Sequence, residues 1–406
     1  MNTVASPIDH ESPAPARAAR PPRVLRRIQN LHDFEAAARR VLPRPIFGYV
    51  SGGTEDNRSC TDNRIAFEQH GFVTRVLRNV SGRHQGVELF GRRYASPFGI
   101  APMGIHALSA YRGDIVLARA AQRAGIPSVL SGSSLIPLED VAAAAPDTWF
   151  QAYLPGDASR ITPLLERVAR AGYRTLVVTV DIPVPANREN HVKTGFSTPL
   201  RPSLRLFRDG IVRPRWLAGT FARTLLAHGM PHFENSFATR GAPIVSAHVL
   251  RDFSARDHLD WRYLERIRNE WRGELVIKGI LSVADAVAAR AAGADGIILS
   301  NHGGRQLDGA VSPMRILAET VGAVGRDYPV MIDGGFRRGA DVLKALALGA
   351  RLVFVGRPFN YASAVAGEAG VAHAIRLLRD EVDRDMAMLG TCTCDDVTAD
   401  LLVRTH

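Results

Sequence analysis

From about residue 97 onward the chain alternates short apolar runs with Ala-rich stretches of helical character, and this rhythm limits the fold more than any other feature. The runs are FGIAP (98–102), SVLSG (128–132), WFQAY (149–153), TLVVTV (175–180), LVIKG (275–279), GIILSN (296–301), VMIDGG (330–335) and LVFVGR (352–357). Between them lie DIVLARAAQRAG (114–125), ITPLLERVARAG (161–172), VADAVAARAAG (283–293) and ADVLKALALGA (340–350). Runs apolar at every position are buried on both faces, as in a parallel sheet covered by helices. Eight of them over about 260 residues predict an α/β fold, a closed (β/α)8 TIM barrel. The competing open, doubly wound sheet lacks support, because the first strand is not followed by a G-x-G-x-x-G turn.

The rest of the chain divides around this barrel. Residues 1–27, rich in Pro, Ala and Arg, read as a disordered tail, and 28–406 as one barrel domain. That domain opens with a helical segment, an amphipathic helix over 31–42 that Pro43 and Pro45 break. After the fourth strand a long loop insertion (184–255) interrupts the rhythm. Its 195–233 portion carries Arg201, Arg205, Arg208, Arg213, Arg215 and Arg223 against the single acid Asp209, interleaved with Trp216, Leu217, Phe221, Leu225 and Leu226. Such a segment suits a cover over the active site, an anionic membrane surface, or a neighbouring subunit. The net charge of +11 also calls for anionic partners. Nucleic acid is excluded for want of a basic motif with interleaved aromatics. Cys60, Cys392 and Cys394 read as reduced thiols. No His/Cys/Asp/Glu spacing suits a metal. The chain shows neither a secretory h-region nor an apolar stretch of membrane-spanning length. The expectation is a cytoplasmic protein, with peripheral contact at the inner face of the membrane through 195–233.

In a barrel of this kind chemistry gathers at the C-terminal ends of the strands. Successive runs end in Pro102-Met103-Gly104, Ser131, Gln151 and Tyr153, Thr179 and Asp181 with Arg188 beyond, Lys278, Ser300-Asn301-His302 with Arg305, Asp333-Gly334-Gly335, and Gly356-Arg357. Two groups stand out. DGGFRRG (333–339) with VGRP (355–358) offers glycine backbone and arginines to a phosphate, after strands 7 and 8 where such barrels bind one. His302, Arg305, Arg188 and Asp181 offer a base, a carboxylate to orient it, and two guanidiniums for an anionic substrate. A phosphate-bearing organic cofactor is the natural electron carrier, with Lys278 adding positive charge beside it.

These residues resemble the FMN-dependent 2-hydroxy acid oxidising family, which includes glycolate oxidase, L-lactate dehydrogenase and mandelate dehydrogenase. The resemblance runs from about residue 28 to the C-terminus through FQAY (150–153), TVDIP (179–183), IKG (277–279), SNHGGRQLDG (300–309), DGGFRRG and VGRP. It implies oxidation of an L-2-hydroxy acid, L-lactate or a larger analogue, to the 2-oxo acid. His302 would take the proton, Asp181 would stabilise its imidazolium, and Arg188, Arg305 and Tyr49 would bind the carboxylate. Tyr153 would lie near the substrate hydroxyl. Lys278, Ser131, Gln151, Thr179 and Ser300 would attend the flavin ring system. Asp333, Gly334, Gly335, Arg337, Gly356 and Arg357 would hold ribityl and phosphate, and the backbone of Pro102, Met103 and Gly104 would pack on the flavin. The resemblance further implies a homotetramer, with electrons passing to quinone, cytochrome or oxygen. Two departures matter. Met103-Gly104 replaces the Thr-Ala of glycolate oxidases, against the flavin where a small change alters oxygen access, and Ser133 stands where they carry a bulky Trp, leaving room for a substrate larger than glycolate; both lean toward lactate- or mandelate-type members. The same flavin chemistry on an unusual or peptide-derived substrate is the alternative. A catalytically silent scaffold is disfavoured by the intact polar set.

Overall fold

The computed structural model describes residues 22–153, 155, 157–197, 200–201, 204–246 and 256–405. Eight strands correspond to the eight apolar runs: β1 (Phe98–Ile100), β2 (Val129–Ser131), β3 (Trp149–Tyr153), β4 (Thr175–Thr179), β5 (Glu274–Ile280), β6 (Gly296–Leu299), β7 (Val330–Asp333) and β8 (Leu352–Val355). They form one parallel sheet in the order β1-β8-β7-β6-β5-β4-β3-β2. A parallel bridge between Ile100 and Ser128 joins β1 to the start of β2 and closes the barrel. β4, β6, β7 and β8 are buried at every residue, which is why their sequences run apolar without alternation.

Register then sets the layer in which chemistry is displayed. Tyr153 pairs with Thr179, and Thr179 with Lys278, so three polar side chains on neighbouring strands stand level near the C-terminal end. The β5–β6 pairing slips between Lys278 and Ile280, and Gly279 there has φ 106°. A Cβ on Gly279 would fall 2.7 Å from the Asp181 Cβ, so this bulge needs glycine for the Asp181 side chain to sit against it. At the opposite end a hairpin, Val87–Leu89 with Arg92–Tyr94, closes the floor. Its Phe90 ring lies 5.8 Å from that of Trp149, whose indole N–H donates to the Tyr94 hydroxyl at 3.2 Å.

Outside the barrel the chain holds more helix than its periodicity announces. Pro43 does end the helix Asp33–Val41, but Pro45 lies in the first turn of a new helix, Arg44–Ser51, where a missing N–H costs nothing. Arg58–Glu68 follows, and after β8 a long helix, Arg357–Leu389, is kinked at Ala366 and Gly367. His70–Phe72 pairs antiparallel with Leu402–Arg404. Of the tail expected over 1–27, residues 1–21 lie outside the described residues; Arg23–Arg27 forms a 3-10 turn with Leu25 buried.

The segment expected as a long loop is about half helical where described. It contains Glu189–Thr194, Leu204–Ile211, and Pro214–Trp216 running through a π turn (Leu217–Ala222) into Arg223–His228. Trp216 anchors it: the ring is buried, stacks 5.4 Å from Phe221, and donates its N–H to the Leu108 carbonyl at 2.7 Å. Residues 247–255 of this segment lie outside the described residues. No helix among the described residues is long and apolar enough to cross a membrane.

Candidate active site

A cavity of about 580 Å³ opens at the C-terminal ends of the strands. Of the residues singled out from sequence, Tyr49, Pro102, Met103, Gly104, Tyr153, Thr179, Arg188, Lys278, His302, Arg305, Asp333, Gly334, Gly335, Arg337, Gly356 and Arg357 line it. Asp181, Ser131, Gln151 and Ser300 do not line it: Asp181 meets His302, Ser300 accepts from Lys278, Ser131 accepts the Ser133 N–H, and Gln151 accepts from Ser131.

The turn after β6 delivers His302. His302, Gly303 and Gly304 all have left-handed φ, at 57°, 65° and 72°. For a histidine this is strained, and two contacts hold it: its N–H donates to Ser300 Oγ at 2.9 Å, and the Gly304 N–H to Asn301 Oδ1 at 3.1 Å. A Cβ at Gly304 would meet the Cys60 backbone N at 2.6 Å, so the turn is wedged against the helix Arg58–Glu68. Asn301 is itself locked by a reciprocal amide pair with Asn63, both bonds at 2.8 Å. His302 Nδ1 lies 3.0 and 3.1 Å from the two oxygens of Asp181. A carboxylate only accepts, so Nδ1 carries the proton and Nε2 keeps its lone pair. Burial lowers the His302 pKa below the usual imidazole value against the opposing pull of Asp181, leaving the ring neutral and basic. Burial by itself would raise the Asp181 carboxyl, but His302 and Lys278 hold it below its ordinary value.

Two arginines stand beside this pair. Arg305 donates to the carbonyls of Tyr49 at 2.7 Å and Gly52 at 2.6 Å, and its guanidinium lies 5.0 Å from the Tyr49 ring centroid. Arg188 donates to the Arg305 carbonyl at 3.1 Å and to Gln306 Oε1 at 2.8 Å, while Gln306 donates to the Asp181 carbonyl at 3.0 Å. Burial, and then the charge of Arg188, bring Arg305 down to about 10, still cationic at neutral pH. Burial raises the Tyr153 hydroxyl to about 12, with Asp181 adding to the effect, so it remains a donor.

The other half of the cavity fits a phosphate-bearing aromatic cofactor. Arg357 donates to the Gly303 carbonyl at 2.9 Å and the Val50 carbonyl at 3.1 Å, and Arg337 donates to the Phe336 carbonyl at 2.9 Å. Neither guanidinium has a carboxylate within 4.0 Å among the described residues, and burial followed by Arg357 lowers Arg337 to about 10. Two half-buried guanidiniums held by carbonyls and, for Arg357, by the Cys60 thiol at 3.6 Å call for an anion. Gly335, at φ 84°, leaves no room for a Cβ, which would fall 2.4 Å from the Asn63 carbonyl oxygen. Towards the barrel axis Lys278 is paired with Asp333 at 2.9 Å and donates to Ser300 Oγ at 2.8 Å. Gln151 Nε2, Thr179 Oγ1 and Asp333 Oδ1 are buried with no partner among the described residues. Amide, hydroxyl and carboxylate thus await the donors and acceptors of a heterocycle and its polyol chain.

Several residues here were not singled out from sequence. Asn63 comes from a helix with no chemical motif, as does Cys60, read from sequence only as a reduced thiol. Arg64 donates to the Gly335 carbonyl and to Asp341, bracing the phosphate turn. Gln306 lies inside SNHGGRQLDG and was within reach of sequence. His191 packs on Tyr49 with ring centroids 5.1 Å apart, and Arg256 lines the cavity beside Tyr153; nothing local marks either.

A barrel with a basic phosphate cradle, a His–Asp pair and two arginines defines an oxidoreductase that works on an anionic substrate through a bound organic cofactor. Comparison makes this specific. The profile of the FMN-dependent dehydrogenases matches residues 38–404, and the chain belongs to that family. It is 38% identical to (S)-mandelate dehydrogenase of Pseudomonas putida over 91% of this chain and 92% of that one. It is 40% identical to an L-lactate dehydrogenase of Azorhizobium caulinodans, over 93% and 98%. A crystal structure described as monotopic membrane protein (S)-mandelate dehydrogenase superposes with TM-score 0.87 at 37% identity, covering 93% of this chain and all of that one. A mandelate oxidase structure superposes with TM-score 0.77 at 35% identity, over 93% and 98%. The chain is an FMN-dependent 2-hydroxy acid dehydrogenase-type oxidoreductase.

Proposed function

We propose that this enzyme oxidises L-2-hydroxy acids larger than glycolate, L-lactate and bulkier analogues, to 2-oxo acids, with His302 as base. The observation that carries the reading is the His302–Asp181 pair facing the same cavity as Arg188 and Arg305. Bound FMN supplies the two-electron acceptor. Gly335, Arg337, Gly356 and Arg357 would hold its phosphate end, and Gln151, Thr179, Lys278 and Asp333 its polar edge. Arg188, Arg305 and Tyr49 would bind the substrate carboxylate and fix its orientation. Tyr153 would hydrogen-bond the substrate hydroxyl. His302 Nε2 takes a proton from the substrate, and Asp181 stabilises the resulting imidazolium through Nδ1. Lys278 keeps positive charge beside the cofactor.

Space at the substrate end supports the size preference. A Cβ on Gly104 would lie 3.0 Å from the Ser133 Cβ and 3.4 Å from the Tyr49 hydroxyl, so larger residues at 104 or 133 would fill the cavity. Ile105, Ile182, Phe196 and Phe233 complete an apolar wall there. Anaerobic mixing of the yellow holoenzyme with a panel of L- and D-2-hydroxy acids tests the reading. Bleaching by L-lactate and larger L-acids is expected; a protein that purifies colourless, or bleaching confined to D-acids, overturns it.

The helical insertion supports peripheral contact with an anionic membrane surface and a quinone acceptor. Leu204, Phe207 and Leu226 stand exposed alongside exposed Arg201, Arg208, Arg215 and Arg223. Replacing those three apolar residues by Ser should release the protein from anionic liposomes in cosedimentation. Wild-type protein that stays in the supernatant, with fast peroxide production under L-lactate, contradicts this part.

A further inference from the structure

The cavity holds a cation that the proposed chemistry leaves unassigned. Arg256 precedes the helix Trp261–Glu270, and its carbonyl accepts the Leu259 N–H at 3.2 Å, which fixes the turn. The residue is 7% exposed. Its guanidinium carbon lies 5.1 Å from the Tyr153 ring centroid and lines the same cavity as His302, Ser133 and Phe233. Arg305 covers Tyr49, Arg188 is tied to Arg305, and Arg256 covers the other tyrosine. One cavity therefore presents guanidinium at two places, one over each tyrosine. A 2-hydroxy acid whose carboxylate is held at the first place must turn the substituent on its C2 towards the remaining walls, of which Arg256 is one. Burial pulls the Arg256 pKa below its usual value, and Tyr153 opposes this; a guanidinium remains charged at neutral pH. In an apolar, low-dielectric wall, a hydrogen bond from that charge to an anionic acceptor is strong and directional.

We propose that Arg256 reads the far end of the substrate side chain, and that L-2-hydroxy acids ending in a second carboxylate are preferred over monoanions of equal length. The inference rests on the reading of this cavity as the site of 2-hydroxy acid oxidation. Anaerobic stopped-flow reduction of the holoenzyme by L-2-hydroxyglutarate, and by L-2-hydroxyhexanoate as its monoanionic counterpart, gives the ratio of their kcat/KM values. One charge-assisted contact predicts a ratio of about 10 to 100 in favour of the dianion. Arg256→Met should bring the ratio to about one, and Arg256→Lys, which keeps the charge, should retain part of it. Titration of the oxidised holoenzyme with glutarate, read by the flavin absorption spectrum, should show Kd rising by a similar factor in Arg256→Met. A wild-type ratio at or below one, or an Arg256→Met variant that slows both substrates equally, overturns the proposal. If both acids fail to reduce the flavin and L-lactate fails too, the underlying reading falls with it. If L-lactate and the monoanion reduce it and the dianion does no better, only the role of Arg256 falls.

Discussion

At His302 backbone and side chain serve one end. A histidine in the left-handed region costs about 1–3 kcal/mol, offset here by the Ser300 and Asn301 contacts, and the conformation turns the imidazole towards both Asp181 and the cavity. His302→Ala should leave the flavin bound, because the side chains of the phosphate cradle come from other loops, while the rate of flavin reduction falls by about 10²- to 10⁴-fold in stopped-flow measurements. Near wild-type reduction would remove His302 from its assigned role. The pH dependence follows from the same environment. The base must be neutral, and burial lowers its pKa from 6.5, so kcat/KM should hold as pH falls through the ordinary imidazole range and decline only below it. Asp181 pulls that pKa upward, so Asp181→Asn should move the acid limb lower still and slow the reaction. An acid limb that rises in this variant contradicts the pairing.

Among the elements, the insertion shows what patterning reveals and what it hides. Its basic, aromatic character is plain in the sequence, whereas its helices are not, since Pro and Gly interrupt any periodicity over Leu204–His228. Trp216 links it to the loop after β1 that carries Gly104 and Ile105 into the cavity. Trp216→Phe keeps the stacking, loses the bond to Leu108, and should cost about 1 kcal/mol. Trp216→Ala removes the anchor as well, at about 3–5 kcal/mol. Hydrogen exchange over Pro214–His228 should quicken in that order, and unaltered exchange in the Ala variant would show the anchor to be dispensable. The strands were legible for the opposite reason. TLVVTV predicts β4 to within a residue because burial on both faces writes itself into every position. The pair His70–Phe72 and Leu402–Arg404 is too short to leave a period, and its partners lie far apart in sequence. Contacts such as Asn63–Asn301 and Arg256–Tyr153 are likewise products of the closed fold, with no local trace.

For the molecule as a whole, barrel closure brings eight strand ends to one rim, and the N-terminal helices then supply what the rim lacks. Val50 and Gly52 give carbonyl oxygens to both Arg305 and Arg357, and Tyr49 gives one to Arg305. Because these oxygens carry no full charge, the cations they hold are positioned without being neutralised. With Arg357 given to the cofactor's phosphate, Arg305 beside Arg188 is left to draw anions to the substrate end of the cavity. Small inorganic anions should compete with substrate there, and mobile ions should screen its pull on a carboxylate beyond about 10 Å at 0.1 M salt. Raising sodium chloride from low to moderate ionic strength should therefore raise KM for L-lactate several-fold, with sulfate the stronger competitor, while kcat stays nearly constant. A KM indifferent to salt would mean that the carbonyl-held arginines exert no reach into solution.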